Sequence, residues 1–260
     1  MSIGYMCAVF CVIGLFSWPM STAAQLDKLV FMTEDYPPYN YLENGQLQGA
    51  SVELLLEVGR QLGQPIVRED IRILPWARAF RELQQGPNRA LFMTTRTRER
   101  EAQFQWAGPF TYDYLGLIAK RSKKLRITQA AQLQNLRIGL VRDDVAEEFL
   151  GRFSIDDKMV TRGNSSTNVA RMLVADRIDL WPIDPRGANR FLKNIGANPN
   201  DYEVVANLRA APLYYAFSQD VDADLVADFQ RAIDQLRESR PELFPAGHTD
   251  VGATDIPPLQ

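Results

Sequence analysis

The chain has 260 residues, of which 46% are hydrophobic and 23% are charged, and its formal net charge at pH 7 is −3. This composition is typical of one or two globular domains and excludes a disordered, collagen-like or coiled-coil chain. The slight acidity argues against nucleic acid and anionic membranes as partners. The single histidine, His248, argues against a His-based triad or a multi-histidine metal site, and we expect neither a metal nor a cofactor.

The first 24 residues predict a cleaved export signal. They contain no charged residue, positions 6–18 are almost wholly apolar, and small residues follow up to Ala24. This run is short for a membrane span, which needs about 20 apolar residues, so cleavage near Ala24 is expected and an uncleaved anchor is the alternative. Cys7 and Cys11 both lie in this segment, and the mature protein would therefore hold no thiol. We expect a soluble periplasmic protein.

Strand and helix patterns alternate along the rest of the chain. Short apolar runs between turn residues predict strands at 29–33, 66–73, 90–94, 114–119, 137–141, 158–161, 178–183, 202–206 and 213–217. Apolar residues at helical spacing predict helices at 51–62, 75–85, 145–153, 166–175, 185–192 and 222–238. Asn44-Gly45 predicts a hairpin turn, Ser51 a helix cap and Gly63 a helix end. Such alternation favours mostly parallel α/β sheets.

Two α/β blocks predict two lobes with a cleft, in which ligands contact the loops beyond the carboxyl ends of the strands. One block offers Arg100 and neighbouring arginines after a strand, and the other offers Asp184. A guanidinium facing a carboxylate suits a zwitterion, and tyrosines such as Tyr36 can cover its apolar part. The alternatives are that the arginines are solvated, that Asp184 only caps a helix, and that Trp76 belongs to the core.

Four segments carry motifs. They are LVFMTEDYPPY at 29–39, the stretch 45–63 with Gly49 shortly before SVEL, TRTRER at 95–100 followed by FQWAGPF at 104–110, and RIDL at 177–180 followed by Asp184. Together they resemble the amino-acid-type extracellular solute-binding proteins of bacterial ABC transporters over about residues 27–245. The resemblance implies an α/β Venus-flytrap fold that closes on its solute by a hinge. Lobe 1 would be 25–112 with 210–260, and lobe 2 would be 113–209.

The resemblance also implies a binding site. Arg100 would hold the ligand α-carboxylate with support from Thr95, and Asp184 would hold the α-ammonium. Glu34 and Tyr36 fall where the first loop meets the ligand. Met93 falls where such proteins supply a backbone carbonyl or amide from a small residue.

Two positions depart from the family pattern. Met93 is bulky where a small residue is common. The loop that opens the second lobe is Arg142-Asp143-Asp144 instead of a run rich in Ser, Gly and Thr, which puts backbone-amide contacts there in doubt. Arg142 could reach the ligand or pair with Asp143. The identity of the solute stays open.

Three functions fit these residues. The first is a monomeric periplasmic protein that binds a polar amino acid or similar small zwitterion and delivers it to an ABC permease in the inner membrane. The second is an enzyme on the same fold, resembling a prephenate or cyclohexadienyl dehydratase, with Glu34 or Asp184 as general acid. The third is a sensing module for a membrane receptor. The first function is favoured, so no catalytic residue is expected. Fold alone does not separate the three functions.

Overall fold

The computed structural model describes residues 26–245. The predicted signal segment with its two cysteines, and His248, lie outside the described residues. The helices are α1 Ala50–Gln61, α2 Trp76–Gln85, α3 Val145–Leu150, α4 Ser166–Val174, α5 Pro185–Asn194 and α6 Ala223–Ser239. The strands are β1 Val30–Thr33, β2 Tyr41–Glu43, β3 Gln46–Gln48, β4 Arg72–Ile73, β5 Arg89–Thr95, β6 Gln105–Lys120, β7 Ile138–Val141, β8 Val160–Gly163, β9 Trp181–Ile183 and β10 Tyr202–Phe217.

The start of α1 differs from the prediction. Gly49, not Ser51, is the N-cap residue, and its φ of +118° favours glycine. A Cβ at Gly49 would lie 2.1 Å from the carbonyl oxygen of Tyr39. The Ser51 hydroxyl instead donates a hydrogen bond of 2.8 Å to that same carbonyl oxygen. The predicted cap therefore ties α1 to the aromatic loop that precedes it.

The main sheet is mixed, so the prediction of mostly parallel sheets is wrong for it. Its six strands lie in the order β4-β1-β5-β10-β6-β9. β1 is parallel to β4 and β5, whereas β10 is antiparallel to β5 and β6, and β6 is antiparallel to β9. β7 and β8 form a separate parallel pair, and β2 and β3 form the hairpin predicted at Asn44-Gly45. The sheet is mixed because β10 lies between β5 and β6 and runs antiparallel to both.

β6 and β10 connect the two lobes. They pair antiparallel along their whole lengths, with Lys120 opposite Tyr202 at one end and Gln105 opposite Phe217 at the other. Sequence patterns predict only parts of each strand as extended. Asp113 pairs with Ala211 near the middle, close to both points where the lobe division was predicted. The division into lobes at these two points stays a prediction, and the paired strands β6 and β10 are the hinge that this division implies.

Buried side chains form one apolar cluster around α1, α6 and β5, and another around β7 and α3. A third cluster takes residues from both lobes, among them Trp76 on α2 and Trp181 on β9. The lobes therefore lie against each other, and the cleft between them is nearly closed. Among the described residues, no helix has the length and apolarity that a membrane crossing requires.

Candidate functional site

A small cavity lies between the lobes, beside the middle of β6 and β10. Its volume is about 30 Å³, which is room for one or two water molecules. The lining residues come from the ends of β1, β5 and β7, from the beginnings of α2, α3 and α4, from the middle of β6, and from β9 and β10. They are Glu34, Tyr36, Trp76, Met93, Thr95, Arg100, Asp113, Leu115, Val141, Asp144, Val145, Ser166, Trp181, Pro182, Ile183 and Leu213.

Five residues predicted for the site line this cavity: Glu34, Tyr36, Met93, Thr95 and Arg100. Met93 reaches it through an unusual backbone conformation, with a φ of +63°. A bulge in the pairing of β5 with β10 lies at this position, and bulges commonly redirect a side chain. The ends of the first and third predicted strands therefore meet at one place.

Arg100 is the basic residue of the cavity lining, and its side chain is only 3% exposed. Its guanidinium lies 4.7 Å from the ring centre of Phe80 and 5.6 Å from that of Trp76. Nε donates to the Glu148 carboxylate, and Nη2 donates to the Asp143 carbonyl oxygen at 3.3 Å. Nη1 is buried without a hydrogen-bond partner. One nitrogen of the guanidinium is therefore left for a further acceptor.

Several hydrogen bonds join the two lobes across the cleft. Thr97 on the Arg100 side donates its hydroxyl to Glu148 Oε2 at 2.8 Å. Trp76 donates its indole Nε1–H to the Asp143 carbonyl oxygen at 2.7 Å. Trp76 is thus both a buried core residue and part of the cavity wall. Because these bonds join lobe 1 to lobe 2, they favour the closed arrangement.

Asp184 does not line the cavity. Its side chain is fully buried, lies 2.6 Å from Arg186 Nη2 and accepts the Arg186 backbone N–H at 2.7 Å as the cap of α5. Burial opposes ionisation of Asp184, but the hydrogen bonds from Arg186 and Asp113 outweigh it and lower the pKa of the carboxyl. Arg186 also contacts the hydroxyl of Tyr39. The Asp184 carboxylate therefore finds its hydrogen-bond and charge partners within the protein, as the helix-capping alternative predicts.

Arg142 also lies away from the cavity lining, and it is exposed at the end of β7. The residue of this loop that lines the cavity is Asp144. Asp144 is the N-cap of α3 and accepts the backbone N–H of Ala146 at 2.8 Å. The Asp144 carboxylate therefore accepts a backbone N–H at the beginning of α3.

Three carboxyl groups line the cavity: Glu34, Asp113 and Asp144. Asp113 Oδ2 accepts the Tyr36 hydroxyl at 2.7 Å, and the Asp113 carboxyl group also interacts with the Tyr114 backbone N–H and the Asp184 carboxyl. Sequence reasoning missed Asp113 because it lies in the middle of a strand instead of at a strand end. It named Asp144 only as part of an atypical loop.

The surroundings of these acids favour their neutral forms. Burial and the nearby carboxylates of Asp144, Asp35 and Asp113 raise the pKa of Glu34 well above its usual value. Burial and the adjacent Asp184 do the same to the pKa of Asp113. Burial raises the pKa of Asp144 to about 6, although the Ala146 N–H and Arg100 oppose the rise. The cavity therefore has an excess of carboxyl groups over cations. Among the described residues, no group of three or more His, Cys, Asp or Glu is placed to hold a metal ion.

A sequence model of the family described as bacterial extracellular solute-binding proteins, family 3, matches residues 29–241. The chain belongs to this family. The resemblance drawn from the motifs is therefore confirmed, and with it a solute-binding role in an extracellular family. None of the curated proteins matches the chain by sequence.

Solved structures share the fold. A histidine kinase sensor domain with similarity to periplasmic binding proteins is 23% identical, with a TM-score of 0.71 over 83% of this chain and 92% of that one. The arginine-, lysine-, histidine-binding protein ArtJ of Geobacillus stearothermophilus is 20% identical, with a TM-score of 0.71 over 83% and 93%. A substrate-binding protein of an ABC uptake transporter from Streptococcus pneumoniae, with bound histidine, is 19% identical, with a TM-score of 0.70 over 84% and 91%. The predicted two-lobe periplasmic-binding-protein fold is confirmed.

Proposed function

We propose that the protein captures a small amino-acid-like solute outside the cytoplasm and delivers it to an ABC permease in the membrane. Membership of the solute-binding family supports the capture step. The structural neighbour from Streptococcus pneumoniae, which belongs to an ABC uptake transporter and holds histidine, supports both the amino-acid class and the permease.

The charge pattern of the cavity carries this proposal. Among the described residues, Arg100 Nη1 is a buried nitrogen without a hydrogen-bond acceptor, and the carboxyl groups of Glu34, Asp113 and Asp144 face the same cavity. Leaving a buried polar group unsatisfied costs about 1–3 kcal/mol, and more for a charged group. A solute that brings a positively charged nitrogen can satisfy the carboxyl groups, and an acceptor atom on it can take the Arg100 N–H.

Aromatic rings complete the lining. Tyr36, Trp76 and Trp181 all face the cavity, and the Tyr36 hydroxyl is fixed by Asp113. Rings of this kind cover the apolar part of a small ligand and attract a cation over their faces, with Trp the strongest. The site therefore combines carboxyl groups that bind an ammonium with rings that bury its carbon chain.

Binding requires the lobes to separate first. The cavity of about 30 Å³ is too small for an amino acid. The cross-cleft bonds from Trp76 and Thr97 must break as the lobes part and form again on closure. β6 and β10 are the elements that can bend between the two states.

The test is a thermal-shift screen of the mature protein against the standard amino acids and small aliphatic amines, followed by calorimetry on each hit. We expect at least one compound to bind with a dissociation constant near or below about 1 μM, which is about −8 kcal/mol. Absence of binding across both classes would contradict the proposal. Binding followed by turnover of the compound would favour the enzyme alternative, with Glu34 as the general acid.

A sensing role is the second candidate, because one structural neighbour is a histidine kinase sensor domain. The two roles are separated by uptake of the radiolabelled ligand in cells that lack the gene. Loss of uptake supports the carrier. Normal uptake with a lost transcriptional response to the ligand supports the sensor.

A further inference from the structure

Arg100 already holds a carboxylate, and that carboxylate belongs to the protein. Glu148 on α3 accepts from Arg100 Nε, and its second oxygen accepts the Thr97 hydroxyl at 2.8 Å. The pair is largely buried, with side-chain exposures of 3% for Arg100 and 22% for Glu148. Glu148 is not among the lining residues, so its carboxylate lies outside the cavity and offsets the charge of Arg100, which lines it.

A second donor near the cavity is filled in the same way. The backbone N–H of Ala146 at the beginning of α3 donates to the carboxylate of Asp144, which itself lines the cavity. A ligand carboxylate that approached this point would meet the negative charge of Asp144 before it met the amide. Both donor groups therefore carry carboxylates supplied by lobe 2.

The remaining charges are unfavourable to a further anion. Arg100 is the basic residue among the lining residues, and Glu148 offsets its charge. Glu34, Asp113 and Asp144 face the same small space. In their ionised forms these carboxyl groups repel a ligand carboxylate, and in their protonated forms they offer it no positive charge. Among the described lining residues, Arg100 Nη1 is the charged donor that a ligand carboxylate would meet.

We propose that Glu148 takes the place of a ligand carboxylate on Arg100, so that the solute is a small amine cation without a carboxylate group. This proposal rests on the proposed function and names its substrate class. The ammonium or guanidinium group of the solute contacts Asp144, Asp113 and Glu34, and its carbon chain lies between Trp76 and Trp181. Arg100 Nη1 donates to a neutral acceptor, such as water.

Two matched pairs of compounds test the proposal. Agmatine is arginine without its carboxylate, and cadaverine is lysine without its carboxylate, so that each pair differs in this one group. Calorimetry on the wild-type mature protein first identifies the pair whose members bind more tightly. Within that pair, the amine is expected to bind at least tenfold more tightly than the amino acid. A tenfold preference corresponds to about 1.4 kcal/mol.

Glu148→Gln releases Nε of Arg100 from a negative charge while keeping the size of the side chain. We expect it to shift the ratio of amine to amino-acid affinity toward the amino acid by at least tenfold. Glu147→Gln is the matched control, because Glu147 lies on the same helix and pairs with Arg162 instead of Arg100. It is expected to leave the ratio within about twofold of the wild type, as for a substitution away from the site.

The outcomes separate this proposal from the function itself. Amino acids that bind wild type more tightly than their amines, with a ratio that Glu148→Gln does not change, would overturn the proposal and leave the amino-acid carrier intact. No binding by any of the four compounds would overturn the proposal and count against the carrier. If Glu148→Gln does not fold, the wild-type preference alone decides.

Discussion

The ends of β5 and β9 each lead to a buried charge, and the two charges have opposite roles. Arg100 pairs with Glu148, 48 residues away and on the other lobe, and keeps one nitrogen unpartnered at the cavity. Asp184 pairs with Arg186, two residues away on the same helix, and caps that helix. Both positions follow a strand and satisfy the same sequence criterion for a ligand group.

The difference lies in the distance of the partner along the chain. A partner within one helical turn is present in the open and the closed state, so the pair contributes to the stability of lobe 2. A partner on the other lobe is present only when the cleft is closed, so the pair couples closure to the site. The position of the partner along the chain, more than burial or charge, distinguishes an ion pair within one lobe from an ion pair across the cleft.

Removal of Arg100 is the strongest way to test this comparison. Arg100→Ala leaves Glu148 without its partner at the closed cleft, and loss of one partner of a desolvated pair costs about 2–5 kcal/mol. We expect affinity for the best ligand to fall by roughly 30-fold to several-thousand-fold in calorimetry. Arg96→Ala is the control, because Arg96 pairs with the exposed Glu101, and its effect should stay below about fivefold. An equal loss in both variants would show that the spacing argument for Arg100 is wrong.

Asp184→Ala should reduce stability more than it reduces binding. Breaking the buried pair with Arg186 and removing the α5 cap should cost about 3 kcal/mol, which lowers Tm by roughly 5–10 °C for a domain of this size. Asp184→Asn keeps a capping acceptor and should lose about 1 kcal/mol less stability than Asp184→Ala. Calorimetric scans of the two variants measure the difference. Loss of binding at an unchanged Tm would instead make Asp184 a ligand group.

The pH dependence of binding sharpens the assignment of Asp144. Its pKa is raised to about 6, so below that pH the carboxyl is mostly protonated, and a cationic ligand must displace the proton. Affinity should therefore rise with pH through about 6, by up to about tenfold per unit on the acid side. Calorimetry between pH 5 and about 7.5 measures this slope.

Asp144→Asn should remove the part of that slope that lies near pH 6. Glu34 and Asp113, whose pKa values are also raised, still titrate in the variant, so the difference from wild type is the informative quantity. Asp143→Asn is the control, because Asp143 is exposed and its side chain lies outside the cavity lining. A wild-type slope that survives in Asp144→Asn would assign the proton to another group.

The smallest expected effect belongs to a single cross-cleft hydrogen bond. Trp76→Phe keeps an aromatic ring at this position, although a smaller one, and loses the bond of 2.7 Å from Nε1 to the Asp143 carbonyl oxygen. A hydrogen bond of this kind contributes about 1 kcal/mol, so affinity should fall about fivefold. In the control Trp106→Phe, the lost bond ends on Glu101 within lobe 1, and affinity should not change. Equal losses of affinity in Trp76→Phe and Trp106→Phe would show that the Trp76 hydrogen bond does not contribute to closure of the cleft.

Local patterns were sufficient for most elements of the fold. Apolar periodicity placed α1, α2 and α6 to within one or two residues, because each buries a continuous face on one side. The same patterns divided β10 into two strands, since Asn207 and Pro212 interrupt its apolar run. Pairing with β6 along its whole length keeps this stretch extended, and such pairing is a long-range property.

The amino-acid sequence by itself determined which residues stand at the strand ends, so Glu34, Thr95 and Arg100 could be placed at the cleft from the chain alone. Only the tertiary structure decided how the charges are paired. Asp113 enters the cavity from the middle of a strand because β6 crosses between the lobes there. Glu148 reaches Arg100 because the lobes close. Periodicity and propensity record the neighbours of a residue along the chain, whereas an ion pair across a cleft depends on how two separately folded surfaces meet.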